Sequence, residues 1–174
     1  MGIITLGIGV GAPAAALFHT LNHSVSKMVT FFCAGTLAQR YGTREMPQMR
    51  RTLEILPVAG SGFLLGLLAI IGMPPFSVFM SELWIARTGA ENGHLAAVVA
   101  FLAGAAIVFI AAFRHGVEMT WADTGRRPPE GRAANLGWPL VAAPLAFLLL
   151  IGIWMPSGLG EVLARAAAVI GGRP

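Results

Sequence analysis

Charge is what this sequence has least of. Only 11% of its 174 residues are Asp, Glu, Lys or Arg, against about a quarter in an ordinary soluble domain. With 56% hydrophobic residues, the chain carries more apolar surface than one water-soluble core of this size can hide. A soluble globular enzyme is excluded, and so is a disordered chain, which needs the opposite composition. Cysteine is almost absent as well. The single thiol, Cys33, excludes an internal disulfide and a cysteine-ligated cluster; set in an apolar run, it reads as a small packing residue. The first positive side chain is Lys27, so no basic segment of a secretory signal is visible. No Walker loop, metal-ligand cluster or nucleophile–base set occurs, so we expect no cofactor, no metal and no catalytic residue here. The net charge of +4 is too slight, and too confined to loops, to point to nucleic acid.

What is present is long apolar runs. Crossing a bilayer takes about 20 mostly apolar residues. Residues 55–81, 95–113 and 138–155 have this character without a charge, and 11–39 has it with one, Lys27. The runs do not alternate as barrel strands would, so they are helices. The expected architecture is all-α: a polytopic transmembrane helix bundle over 1–174, in one domain. Its elements are a short helix 2–10, a long helix 13–39, a polar loop 40–54, a long segment 55–88, a turn 89–94, a helix 95–113, a loop 114–137 and a helix 138–155. Ten residues are too few to span, so the first element reads as the cut end of a helix begun further upstream. Residues 157–172 form an amphipathic tail helix at the interface, with Leu159, Val162, Leu163, Ala166 and Ile170 on one side.

The segment 55–88 is interrupted by Gly72-Met73-Pro74-Pro75. A proline inside a helix removes a donor and clashes with the preceding turn, so Gly72, Pro74 and Pro75 mark a hinge in a discontinuous helix. Counted as one broken span, it puts loops 40–54 and 114–137 on the same side, with eight arginines against three opposite. The positive-inside rule makes that side cytoplasmic and places the C-terminus across the membrane. Discontinuous helices recur where ion sites are built at membrane midplanes.

Two full charges lie well inside the proposed spans, Lys27 and Glu82. A charge at the bilayer centre costs about 2.5–3.5 kcal/mol on insertion scales, so both are expected to face the protein interior or a wet cavity. His19, His23 and Lys27 follow at i, i+4 and i+8, at about 0°, 40° and 80° around the helix and about 6 Å apart along it. Asn22, Ser24 and Ser26 add polar groups, not all on that face. Stacked imidazoles and an amine in an apolar helix form a ladder for protons. Glu82, beyond the break, would be a proton-accepting carboxylate. Other polar groups are weaker signals: His94 and His115 sit at span ends, Glu118, Asp123 and Glu130 share a loop with arginines, and Gly60, Gly62 and Gly66 suggest close helix packing.

These residues carry a resemblance. The run Leu17-Phe18-His19-Thr20-Leu21-Asn22-His23-Ser24-Val25-Ser26-Lys27, followed by Phe31-Phe32-Cys33-Ala34-Gly35, resembles the antiporter-like proton-conducting membrane subunits of respiratory complex I, group 4 hydrogenases and multi-subunit cation/proton antiporters. The run Gly72 to Glu82 resembles that family's late discontinuous helix. Within the family the likeness runs to hydrogenase-4 component F and related subunits, which fit the glutamate of Ser81-Glu82 and the short tail. The resemblance implies Lys27 as a central lysine, His19 and His23 as its relay partners and Glu82 as the terminal proton-loading residue. It also implies that this is the C-terminal part of a longer fold, its second inverted repeat. The expected function is proton translocation in the inner (cytoplasmic) membrane, as a non-redox subunit of a redox-driven NADH dehydrogenase-like or hydrogenase-4-type complex. Its partners would be other membrane subunits, a missing N-terminal half, protons or Na+, and the lipid bilayer. A cation/proton antiporter subunit is the alternative, and a purely structural membrane fragment the second.

Overall fold

The structure, a computed structural model, describes residues 2–122 and 136–170. Asp123, Glu130, Arg126, Arg127, Arg132 and the last two residues of the expected tail helix 157–172 lie outside this set. The described residues are helical, without strands. Helix α1 (Gly2–Gly9) passes into α2 (Pro13–Tyr41) through Gly11 at φ +81°, and Pro13 opens α2 at a position where its missing N–H has no intrahelical partner to lose. α2 has 29 residues and ends on Gly42 in a left-handed cap with Arg40 in its last turn, which suits the negative end of the helix dipole. The polar stretch 40–54, expected as loop, holds a 3-10 turn (Met46–Gln48) and the one-turn helix α3 (Thr52–Ile55).

Helix α4 (Pro57–Ile70) stops at the expected hinge, and α5 (Ser77–Glu91) begins after it. Gly72 sits there at φ +74°, and the Pro74–Pro75 peptide bond is cis. Then come α6 (Leu95–Trp121), α7 (Trp138–Ile153) and α8 (Ser157–Ile170). Among the described residues, α6 is the one helix that is alone long and apolar enough to cross a bilayer; α7 and α8 pass that test jointly but are bent by 83°.

α2 runs through the middle, packed against α1, α4, α5, α7 and α8. Its contact with α4 is close because glycine allows it: a Cβ at Gly62 would lie 2.6 Å from Cys33 Sγ, and one at Gly66 2.7 Å from Thr30 Oγ1. That is the small-residue packing expected of a GxxxG spacing. The main core joins Val29, Cys33 and Leu37 of α2 to Phe63 of α4 and to Leu145 and Leu148 of α7.

Three boundaries or faces differ from expectation. α6 continues to Trp121 rather than stopping at Phe113, so Arg114, His115 and Glu118 are helical rather than in a loop. Arg114 Nε donates to Glu118 Oε1 at 2.9 Å, and Glu118 lies 3.6 Å from Arg50. Oppositely charged residues four apart favour helix, and this pair carries α6 onward where the apolar run ends. Arg87 and Glu91, 2.8 Å apart, likewise extend α5 beyond Thr88. In α8 the buried side chains are Leu163, packed with Phe18 and Ile151, and Ala167, while Val162 and Ile170 point outward. The bundle takes the narrower Leu159–Leu163–Ala167 stripe.

Candidate functional site

The site is built where α2 meets the start of α5. α2 buries the face that carries Ala15, Phe18, His19, Asn22, Ser26, Val29 and Cys33. The spacing of three and four residues keeps this stripe against its neighbours. Three polar side chains sit in it: His19 is 2% exposed, and Asn22 and Ser26 are 0% exposed.

His19 Nδ1 lies 2.9 Å from Ser81 Oγ of α5, and Ser81 Oγ donates to Val78 O at 2.7 Å. The serine hydroxyl has one proton and gives it to Val78. The ring therefore carries the hydrogen of the His19–Ser81 bond on Nδ1, which leaves Nε2 as an acceptor. His19 and His23 stack with centroids 5.4 Å apart and planes 18° from parallel. Asn22 Nδ2 donates to Ser77 O at 3.1 Å, in the first turn of α5. Ser26 turns its hydroxyl back to Asn22 O at 2.8 Å. Asn22 Oδ1, Ser77 Oγ and His23 Nδ1 are buried and meet no hydrogen-bond partner among the described residues. Leaving such an atom unsatisfied costs about 1–3 kcal/mol, and ordered water is the usual remedy. The seam between α2 and α5 is thus polar, buried and suited to water.

Glu82 follows Ser81 directly and is half-buried. Its carboxylate rests on the hinge: a Cβ at Gly72 would fall on Glu82 Oε2. Glycine at Gly72 serves twice, supplying the left-handed backbone of the break and room for the carboxylate. Hinge and carboxylate are therefore brought together, and Ser81, the residue before Glu82, meets His19 of the stacked pair.

Lys27 is not drawn into that group. The sequence predicts that it faces the protein interior or a wet cavity; it is not in the interior of the described chain but exposed, beside the outward Met28 and Phe31. The reason is helical drift. Steps of four residues rotate by about 40° each, so His19 lies in the buried stripe, His23 at its edge and Lys27 beyond it. The residues that stay in the stripe are His19, Asn22 and Ser26. The spacing i, i+3, i+7, continued by Val29 and Cys33, is the signal that marks Asn22 and Ser26. Ser77 and Ser81 come from α5 and leave no local trace in the α2 sequence.

Fold and site define a class: an all-helical membrane subunit in which a proline-broken helix seats a carboxylate at its break and bonds, one residue earlier, to an imidazole of a neighbouring helix. The chain belongs to the family described as NADH:quinone oxidoreductase/Mrp antiporter, TM, whose model matches residues 1–108. It is 38% identical over 104 residues to the hydrogenase-4 component F homolog of Methylacidiphilum infernorum (isolate V4), covering 58% of this chain and 22% of that protein. It is 26% identical over 156 residues to a Na(+)/H(+) antiporter subunit of Bacillus subtilis (strain 168), covering 88% and 31%. It is 29% identical over 178 residues to formate hydrogenlyase subunit 3 of Escherichia coli (strain K12), covering 87% and 29%. The chain thus spans less than a third of each of these relatives. A chain in the Mrp complex of Dietzia sp. DQ12-45-1b shares the fold, with a TM-score of 0.70 at 23% identity over 96% of this chain and 40% of that one.

Proposed function

We propose that the chain is a proton-translocating part of a multi-subunit membrane complex, with Lys27, His23, His19 and Glu82 as successive proton-bearing groups. The observation that supports this most is the hydrogen bond from His19 to Ser81, which ties the imidazole pair of α2 to the residue preceding Glu82. A proton taken up at Lys27 passes to His23, one helical turn away, and on to the stacked His19. Water held by Asn22 Oδ1 and Ser77 Oγ fills the gap to α5, and Glu82 receives the proton beside the hinge. Charge on one group changes the proton affinity of the next, which makes the steps sequential. Lys27, on the outward face of α2, is the entry point and is covered by a partner, the N-terminal half of the longer fold.

In this reading the complex lies in the cytoplasmic membrane, the stretch 40–54 and the charged end of α6 face the cytoplasm and electrons move in other subunits. The test uses inverted vesicles holding the whole complex, with acidification followed after an electron donor is added. Lys27→Ala and Glu82→Gln should each lower proton translocation at least about tenfold, the effect of about 1.4 kcal/mol on a barrier. Wild-type rates in both variants overturn the proposal. The antiporter alternative is supported by the likeness to a Na(+)/H(+) antiporter subunit; under it, Na+ added outside the vesicles enters in exchange for protons and makes the lumen more alkaline without electron donor, and the same two variants lose that response.

A further inference from the structure

Beside the hinge, α1, α5, α6 and the end of α4 enclose an open cleft of about 590 Å³. Its walls include Ile70 of α4 and Ile71 just beyond it, Phe101 of α6, and the small residues Ala100 and Gly104 of the same helix. Among the described lining residues, Glu82 is the one that carries a charge, and no described residue reaches its carboxylate with a hydrogen bond or an ion pair. Gly104 meets no atom within 4 Å of where its Cβ would be, so the face of α6 toward the cleft is open.

We infer that this cleft is a binding site for a lipophilic cation, an ammonium whose apolar body fills the walls and whose charge meets Glu82. Two observations narrow the occupant. The volume falls within the range of about 300–1,000 Å³ typical of small-molecule sites. A neutral acyl chain would fit the walls but leave the carboxylate unmet in apolar surroundings, which is unfavourable for a charged group. An organic cation satisfies walls and charge together. The inference stands on the cleft and does not require Glu82 to carry protons.

The probe is decyltrimethylammonium, which is permanently charged and so cannot dissipate a proton gradient by shuttling protons. Binding of radiolabelled probe to the intact purified complex is measured below its micelle concentration, with decanol as an uncharged competitor. We expect saturable binding to wild type, at least tenfold weaker binding to both Gly104→Leu, which fills the cleft, and Glu82→Gln, and no competition by decanol. Absence of saturable binding, equal binding by either variant, or full competition by decanol overturns the inference. Because binding is read without turnover, its failure and the failure of the proton relay are separate results.

Discussion

The two longest helices treat polarity in opposite ways. α6 is the more apolar of the two and is nearly bare, with Ile107 70% and Ile110 68% exposed. α2 carries two histidines, an asparagine, serines, threonines and a lysine, yet it lies at the centre and holds Asn22 and Ser26 at 0% exposure. In water this arrangement would be inverted. In a bilayer lipid is as apolar as leucine, so apolar side chains gain little by meeting one another, while polar and small residues gather at helix contacts. Hydropathy therefore finds α6 as the wall of the bundle, and the function must be sought on the helix that looks less like a span.

The sharpest way to break the contrast is to attack the hinge that supports the polar side. Gly72→Val puts a β-branched residue at φ +74° and its Cβ onto the Glu82 carboxylate. The backbone strain alone is about 1–3 kcal/mol, and the displaced carboxylate adds to it. We expect loss of the complex from membranes, measured by its abundance after solubilisation. The opposite attack is on the wall. Ile107→Asp at the bare surface of α6 should cost about 2.5–3.5 kcal/mol if that surface meets lipid, seen as poor insertion. Unchanged insertion would mean that Ile107 faces water or a polar partner, and the contrast between α2 and α6 would lose its basis.

Smaller effects distinguish the polar seam from ordinary packing. Ser81→Ala leaves His19 Nδ1 without its partner at a 2%-exposed site, at a cost of about 1–3 kcal/mol. Thermal denaturation of the purified complex should fall accordingly, and proton transfer should fall with it. If stability drops but transport does not, Ser81 holds the helices without linking the relay.

Parts of this arrangement are legible in the sequence because their causes are local. Gly72, Pro74 and Pro75 specify the break through their own backbone chemistry, and the spacing of Gly62 and Gly66 marks the face that α2 approaches. The end of α6 is misjudged when the first charge, Arg114, is taken as the boundary, since the same charge pairs with Glu118 four residues on and prolongs the helix. The ladder His19, His23, Lys27 is real as a spacing, but a step of four residues drifts, and the drift decides which member is buried. Asn22 and Ser26 stay in the stripe by steps of three and four. Ser81 is 62 residues from His19, and the contact between them depends on how α5 folds back from the hinge. No local pattern encodes that.

The smallest expected effect is the most direct comparison of the two helix surroundings, because the same change is made on each side. A methyl group at Gly62 meets Cys33 Sγ and Val141 Cγ1 at 2.6 Å, whereas one at Gly104 meets nothing within 4 Å. Gly62→Ala should therefore destabilise the complex by about 1–3 kcal/mol through overpacking. Gly104→Ala should be neutral or stabilising by up to about 1 kcal/mol, since alanine is the better helix former. Differential scanning of the two purified variants reads both. A loss of stability in Gly104→Ala would mean that a further segment or subunit already packs on that face of α6. The bareness of α6 would then belong to this stretch of chain alone, not to the assembled protein.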